Sequence, residues 1–268
     1  MEWIPLGTNG FFPSFGRQTM SFLVLAGDQA LLLDAGTGVG RLAEPALAAR
    51  LGGCPRLDVL LTHYHLDHVV GLSYLRTLWA GPLRIHAPEA PLVDAPARES
   101  LARLIGPPFF PRPLAAHVPP IEVAPYTSER MAIGPFELEL RRQRHDGGSV
   151  GVRLGSELAY VTDTELDEGT IALAAGVHTL LHEVWWSDEE AAAAGFTSNG
   201  HSWVGGVADL ADRAGVRRLV PVHHHPRRSS AAVAELAAGL DRRTACEVLL
   251  AQEGEAYRSV SQQQPSSR

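Results

Sequence analysis

"LLTHYHLDHVVGL" spans residues 60–72 and places three histidines and an aspartate within six positions, between two apolar runs. Imidazole and carboxylate groups are the usual protein ligands of zinc and related metals. His63, His65 and Asp67 are expected to project one way where an extended strand breaks into a turn. His68 then turns inward as a helix begins, so the four ligands can serve two adjacent metals. Solvated surface histidines are the alternative, and the flanking apolar residues, which should be buried, disfavour it.

The composition limits the kinds of partner that the chain can have. With 268 residues, of which 45% are hydrophobic, it can bury a substantial core in one or two domains. A net charge of -7 argues against a broad surface for nucleic acid or anionic membrane, although a local basic pocket stays possible. Cys54 and Cys246 have no metal-binding or disulfide spacing, and we expect both to be buried, reduced thiols.

Targeting and membrane signals are weak in this sequence. The N-terminus has no basic region, and the apolar stretch "SFLVLAG" is stopped by Asp28 before it could form a signal core. No window approaches the roughly 18 apolar residues of a membrane-spanning helix. We therefore predict a cytoplasmic location and no membrane partner.

The hydrophobic pattern predicts a mixed α/β domain. Strands are expected at "SFLVLAG" and "ALLLDAG", joined at Gly27-Asp28, and at "RLDVLLT", "FELELRRQRH", "SVGVRLG", "ELAYVTDT", "HTLLHEVWW", "RRLVPVH" and "CEVLLAQ". Helices are expected at "VVGLSYLRTLWAG", closed by Gly81, at "HSWVGGVADLADRAG" and at "AAVAELAAGLDRR". The Pro-rich residues 106–125 are expected to form an irregular surface crossing or a lid.

Several of these segments carry a family resemblance. "THYHLDH" resembles the HxHxDH motif of the metallo-β-lactamase fold superfamily, whose members are mostly metal-dependent hydrolases. The match extends over nearly the whole chain, in the order typical of the tRNase Z-like and cyclic-phosphodiesterase-like branch. Before the motif come "LGTNGFFPSFGRQTMSFLV" and "LLLDAGTG", and after it come "HDGGSVGVRL", "YVTDT", "LLHE", "GHS" and "LVPVHHHP". The resemblance implies an α/β fold, a four-layer αβ/βα sandwich with the metals at one edge. It also implies one hydrolase domain over residues 1–260, before a polar tail at 261–268 that is expected to be disordered.

The same resemblance implies a set of seven ligands for two divalent metals. The first metal would be held by His63, His65 and His145, the second by Asp67, His68 and His223, and Asp163 would bridge them. The sequence context agrees, because His145, Asp163 and His223 each follow a strand-like run. Taken alone, His145 could be a loop residue and Asp163 a turn or N-cap residue. Zinc is the first choice because imidazole dominates, and manganese or iron is compatible with the set.

Asp67, Glu183 and His201 are the candidate catalytic residues. The resemblance pairs Glu183 with His201, which would act as a proton donor or electrostatic stabiliser while a hydroxide bridging the metals attacks. Arg227 and Arg228 could contact a phosphate, although a surface pair at a helix start is an equally good interpretation.

The remaining histidines have structural interpretations. His86, His117 and His178 lack partners at ligand spacing and are expected to be structural or to face solvent, and His182 is significant only as the neighbour of the glutamate. In the triple "HHH", the second and third histidines raise a question of register. If the strand continues, His225 shares a face with the first histidine and His224 opposes it.

The substrate is less constrained. The resemblance places the exosite arm of the tRNA-processing enzymes between His145 and Asp163, and 18 positions leave no room for it. We therefore predict a small phosphodiester, such as a cyclic nucleotide, rather than tRNA. The alternative is a carboxylic ester, lactone or thioester hydrolase on the same metals, ahead of β-lactam hydrolysis and of a non-catalytic metal-binding or redox module. A homodimer is possible.

Overall fold

Two seven-stranded sheets make up the frame of this computed structural model, which describes residues 1–196 and 200–259. The first sheet has the order β14-β1-β2-β3-β4-β5-β6. Its strands are β1 (Glu2–Gly7), β2 (Ser21–Ala26), β3 (Gln29–Leu33), β4 (Leu57–Leu60), β5 (Leu83–Pro88), β6 (Ile121–Tyr126) and β14 (Tyr257–Arg258).

The second sheet has the order β13-β12-β11-β10-β9-β8-β7. Its strands are β7 (Arg130–Ile133), β8 (Phe136–Gln143), β9 (Ser149–Leu154), β10 (Leu158–Val161), β11 (Thr179–Glu183), β12 (Arg218–Val222) and β13 (Glu247–Val248). The helices are α1 (Pro45–Leu51), α2 (Leu66–Val69), α3 (Leu72–Leu78), α4 (Ala97–Leu104), α5 (Glu168–Ala174), α6 (Asp188–Ala193), α7 (Val204–Ala214) and α8 (Ser230–Asp241). Short 3-10 helices cover Thr37–Ala43 and Leu114–Ala116.

The period-two pattern of the strands distributes their side chains over three apolar layers. Phe22 and Leu31 from the first sheet meet Val152 and Tyr160 from the second, in a core between the sheets. Alternate residues such as Leu32 face outward and pack with α1, α3 and α4. The outer face of the second sheet packs in the same way against α5, α7 and α8. The four-layer sandwich predicted for the chain is therefore confirmed.

Strand direction brings distant parts of the chain to one edge of this sandwich. β3, β4, β5 and β6 are mutually parallel, as are β10, β11 and β12. β8 shares the direction of β10, because both are antiparallel to β9. Polar residues that follow these strands therefore meet where ligands bind in parallel sheets, beyond the carboxyl ends of the strands.

The helix predicted from Val69 to Gly81 is wrong in extent. Two short helices, α2 and α3, occupy the region, and α3 ends at Leu78 because Trp79 is extended. Gly71 lies at the junction, where a Cβ would stand 2.2 Å from the carbonyl oxygen of Gly36. The N–H of Gly71 donates to the carbonyl of Ala35 at 2.8 Å, outside the helix, so the helical hydrogen-bond ladder is interrupted there.

Three other sequence predictions need correction. The Pro-rich segment is not irregular throughout, since it holds the 3-10 helix Leu114–Ala116 and residues 121–126 form β6, an edge strand that tolerates Pro125. The predicted last strand shrinks to the two residues of β13. Cys54 and Cys246 are free but only half-buried.

The predicted disordered tail at 261–268 lies outside the described residues, as does residue 260. Within the described ranges, no helix is long and apolar enough to cross a membrane.

Candidate metal centre

The predicted ligands converge at the carboxyl ends of strands from both sheets. His63 lies three residues after β4, and α2 begins just beyond it with Asp67 and His68. In the second sheet, Asp163 follows β10 and His223 follows β12 directly. Both of these residues have positive φ angles, 53° and 51°. A left-handed backbone is costly outside glycine and occurs where the surrounding structure imposes it, most often at functional sites.

The first group of candidate ligands comprises His63, His65, His145 and Asp163, which each offer one atom within 4.8 Å of the others. Oδ1 of Asp163 lies 3.9 Å from Nε2 of His63 and 3.5 Å from Nε2 of His145. Nδ1 of His65 lies 3.2 Å from the same nitrogen of His145. This group contains the three histidines predicted to hold one metal.

The second group comprises Asp67, His68 and His223, again with ligand atoms within 4.8 Å. A third set, Asp163, His201 and His223, meets the same distance and shares members with the other two. Oδ2 of Asp163 lies 3.1 Å from Nε2 of His68 and 3.2 Å from Nε2 of His223. The two oxygens of one carboxylate therefore face the two groups separately. A carboxylate that bridges two metals through both of its oxygens has this arrangement.

The hydrogen bonds of these histidines fit a metal site. Although Asp163 is near, Nε2 of His63 and Nε2 of His68 make no hydrogen bond of acceptable geometry, whereas buried polar atoms normally make one. The Nδ1 atoms of the candidate ligand histidines have partners. Nδ1 of His63 lies 3.0 Å from the hydroxyl of Thr62, and Nδ1 of His145 lies 3.2 Å from the carbonyl of Gly200. Outer partners of this kind orient ligand histidines toward a metal.

Asp34 is a functional candidate that the sequence interpretation missed. Its buried carboxylate contacts Nδ1 of His68 at 2.8 Å and accepts hydrogen bonds from the backbone and hydroxyl of Thr62 and the hydroxyl of Tyr160. Through Thr62 it also supports His63. The segment "LLLDAGTG" contributed to the resemblance, but spacing alone could not connect Asp34 to a histidine 34 residues away.

Mutual electrostatics keep the acidic ligands ionised. Burial would raise the pKa of Asp163, but the surrounding imidazoles hold that pKa well below its usual range. Burial also opposes ionisation of Asp67, and His68 and His223 lower its pKa nonetheless. The pKa of His63 is lowered by burial and by the neighbouring His68, so its ring favours the neutral form that a metal requires.

Beside the second group lies a paired acid and base. Glu183 ends β11 in a fully buried position and receives backbone N–H groups of Thr164 and Ser202, both at 3.0 Å. Its Oε2 lies 2.8 Å from Nδ1 of His201 and 3.3 Å from Nδ1 of His223. Burial would lower the pKa of His201, but the Glu183 carboxylate raises it above its ordinary value.

Trp185 packs against this pair and had no predicted role. Its ring stacks on His201 with centroids 4.3 Å apart and planes 11° apart, and on His223 at 5.2 Å. A Cβ at Gly10 would lie within 2.7 Å of both Trp185 and His223. The loop that follows β1 therefore packs closely against the rings of Trp185 and His223.

The triple histidine does not continue as a strand. β12 ends before His223, and His224 is buried, with its N–H donating to the carbonyl of Thr8. His225 packs on Trp185 with ring centroids 4.7 Å apart and belongs to none of the ligand groups among the described residues. The condition for the predicted alternation is not met, because the chain turns left-handed at His223. His223 and His225 nevertheless both pack on Trp185.

The two arginines differ in their surroundings. Arg227 is exposed, whereas Arg228 donates to the carbonyl of Trp185 at 3.0 Å and contacts Glu190. Both contacts use Nη2 of Arg228, and a phosphate contact from its guanidinium stays a prediction.

Three of the histidines outside the centre, His86, His178 and His182, contact groups that do not belong to the ligand set, in line with a structural role. His86 is buried and lies 2.8 Å from Asp58, so it does not face solvent. His178 contacts the hydroxyl of Thr179, and His182 is buried beside the Glu183 carbonyl. His117 is half-buried in the Pro-rich crossing.

Two mixed sheets flanked by helices, with histidines and aspartates gathered at their common edge, are the architecture of metal-dependent hydrolases of the metallo-β-lactamase fold. Comparisons with known proteins agree. A profile of the beta-lactamase superfamily domain matches residues 29–224. The chain is 31% identical over 247 residues to ribonuclease Z of Mycobacterium bovis (strain BCG / Pasteur 1173P2), with 84% of this chain and 86% of that protein covered.

Two solved structures show the same fold. The metallo-β-lactamase fold protein YhfI from Bacillus subtilis has a TM-score of 0.76 at 20% identity, over 96% of this chain and 98% of that one. Human tRNase Z, short form, has a TM-score of 0.66 at 19% identity, over 97% and 100%. The chain therefore belongs to the beta-lactamase superfamily, in its tRNase Z-like branch. The individual roles of the ligand and catalytic residues stay predictions.

Proposed function

We propose that this hydrolase is a phosphodiesterase that acts on small phosphodiesters, such as cyclic nucleotides. The contact between His201 and Glu183, 2.8 Å long and next to both ligand groups, is the observation that carries the proposal. The alkoxide leaving group of a phosphodiester is strongly basic and needs a proton, whereas the thiolate that leaves a thioester does not. A histidine whose pKa is raised by a buried carboxylate is suited to supply that proton.

Each residue has a distinct part in the proposed mechanism. His63, His65, His145, Asp163, Asp67, His68 and His223 would hold divalent metals, with zinc first because of the imidazole-rich set. When bound, such metals lower the pKa of a water molecule toward neutrality and polarise the electrophile. Nε2 of His201 would pass its proton to the departing oxygen, and Glu183 would hold the ring and stabilise its charge.

The choice of a small substrate is supported by the chain between His145 and Asp163. That interval is filled by β9 and β10, which pair directly as an antiparallel hairpin. The net charge of -7 adds no attraction for a polyanion. Against this stands the similarity to proteins named ribonuclease Z, which makes tRNA processing the second candidate. Cleavage of a precursor tRNA by the metal-loaded protein at rates above those on cyclic nucleotides would favour that candidate.

The deciding experiment measures His201→Ala on two phosphodiesters that differ only in leaving-group pKa. On the alkyl ester we expect roughly a 100-fold or greater loss of turnover, the scale of general acid catalysis, with metal content unchanged. On the p-nitrophenyl ester the loss should be far smaller, because p-nitrophenolate needs little protonation. Glu183→Gln should show the same pattern more mildly.

Equal losses on both esters would contradict the proton-donor role, and so would loss of metal from His201→Ala. A parallel panel of p-nitrophenyl acetate, lactones and thioesters tests the alternative substrate class. Turnover of those compounds with none of any phosphodiester would overturn the proposed function.

A further inference from the structure

Three large apolar side chains stand exposed next to the candidate metal centre. Phe11 is 73% exposed and Phe12 is 42% exposed, and Leu66 is 67% exposed between two predicted ligands. Single exposed apolar side chains are common on protein surfaces, whereas a cluster of large ones beside a candidate site is a feature of ligand-binding surfaces. We call Phe11, Phe12 and Leu66 the apolar rim.

A hydrogen bond ties this rim to the metal centre. The backbone N–H of Phe11 donates to Oδ2 of Asp67 at 2.7 Å, and the same oxygen lies 3.3 Å from Nε2 of His223. The residue that carries the Phe11 ring is therefore hydrogen-bonded directly to a carboxylate of the second ligand group. Phe12 stands beside it, with ring centroids 5.7 Å apart.

The loop that carries the two rings is held in shape. The N–H of Gly10 donates to the carbonyl of His224 at 3.0 Å, and Asn9 binds the hydroxyl of Ser14 at 2.8 Å and the guanidinium of Arg17 at 2.7 Å. Phe11 itself has a φ of 64°, in the left-handed region that a bulky side chain seldom adopts. Such a conformation persists only where the surroundings impose it, and it often marks a ligand clamp.

The size of the rim indicates what could cover it. Two phenylalanines offer at most about 300–500 Å² of contact, whereas a stable protein interface buries about 1,200 Å² or more. A planar ring on a small molecule matches the available surface. Because the loop is already ordered, a ligand that stacks there loses little additional conformational entropy.

We propose that the apolar rim, with Phe11 as its principal residue, binds the base of a nucleotide while the metal centre holds the phosphate. The inference rests on the proposed function and adds a specificity-determining residue to it: Phe11 is the surface on which the base of such a substrate stacks. Phe11 sets specificity and takes no part in bond cleavage. Stacking of a base on an aromatic side chain is sequence-tolerant, so the rim distinguishes nucleotides from simple alkyl esters rather than one base from another.

The test uses adenosine 5′-monophosphate and ribose 5-phosphate, which differ only in the base, as ligands of the metal-loaded protein. Calorimetry should show that the wild-type protein prefers the adenine compound by about tenfold, the scale of one stacking contact. In Phe11→Ala the preference should fall toward one, and Phe11→Trp should retain it. Both substitutions keep a Cβ and the N–H that binds Asp67.

Phe109→Ala is the matched control, because Phe109 is 79% exposed and lies in the Pro-rich crossing. It should keep the wild-type preference. Equal affinity of the wild-type protein for the two compounds, or an unchanged preference in Phe11→Ala, would overturn the inference. Binding does not depend on turnover, so an inactive protein that still prefers the adenine compound would count against the proposed function alone.

Discussion

Asp163 is the residue on which both ligand groups depend. Its two oxygens face different histidines, its backbone is left-handed, and Oδ2 also accepts a hydrogen bond from the hydroxyl of Thr162 at 2.7 Å. Asp34 supports the candidate ligands from behind, since it contacts His68 directly and His63 through the hydroxyl of Thr62. These contacts make the geometry of the centre sensitive to single carboxylates.

We expect Asp163→Ala to lose metal and activity together, because a carboxylate that contributes to both groups cannot be removed from only one. Elemental analysis of the purified protein should approach two metals per chain in the wild type and fall well below that in the variant. Full occupancy in Asp163→Ala would remove the bridging role. His86→Ala, which deletes a buried histidine outside the centre, is a useful comparison for metal content.

His223 and His225 give a paired test of the ligand register. His223→Ala should reduce metal occupancy strongly, since Nε2 of His223 faces Asp67 and Asp163 at 3.3 and 3.2 Å. His225→Ala should leave occupancy nearly intact, because that ring packs on Trp185 outside the ligand groups. The reverse outcome in the same elemental analysis would move the ligand two positions along the chain.

Among the structural elements, the segment from β4 through α2 to α3 shows how backbone packing shapes the site. A Cβ at Gly36 would lie 2.1 Å from the carbonyl of Asp67, and one at Gly71 would lie 2.2 Å from the carbonyl of Gly36. The N–H of Gly71 also donates to the carbonyl of Ala35 at 2.8 Å. The turn after β3 and the α2–α3 junction thus fit together without room for side chains, and this fit positions α2 and its two candidate ligands.

Gly71→Ala should therefore destabilise the protein by about 1–3 kcal/mol or more, the usual cost of overpacking, because the obstructing atoms are backbone rather than flexible side chains. Gly53→Ala is the matched control, since a Cβ at Gly53 meets nothing within 4 Å. Urea unfolding of the two variants at one pH measures the difference. Equal midpoints would show that the junction can relax at no cost.

Across the whole molecule, the two sheets are joined at the site edge by the loop that follows β1. His224 receives the N–H of Gly10 on its carbonyl and donates its own N–H to the carbonyl of Thr8, which links the end of β12 to the first sheet. Its ring is buried, and burial and the nearby Arg17 lower its pKa to about 3. The imidazole is therefore neutral in the folded protein at neutral pH.

The depressed pKa of His224 predicts a contribution to acid unfolding. The unfolded chain takes up the proton near pH 6.5 and the folded one only near pH 3, so the stability present above pH 6.5 is lost progressively as the pH falls through that window. His224→Gln cannot titrate, so its free energy of unfolding should fall less between pH 7 and pH 3 than that of the wild type. Its acid-unfolding midpoint should therefore lie at lower pH. A midpoint that stays in place or rises would contradict this assignment.

The sequence by itself determined the fold class and the composition of the centre. The HxHxDH motif is contiguous, the strands have a clear apolar pattern, and the resemblance assigned His145, Asp163 and His223, which the structure brings beside the motif. These features are local or occur in a fixed order along the chain, so a linear reading can find them.

Only the tertiary structure decided how the groups around the centre cooperate. Three contacts around the centre join residues that are 16 to 56 positions apart in the sequence. They are the contact of Asp34 with His68, the stacking of Trp185 on His201, and the hydrogen bond from Phe11 to Asp67. The break between α2 and α3 likewise depends on a loop more than 30 residues earlier. None of these contacts has a period or spacing in the sequence, because each arises from the packing of two sheets and their loops against one another.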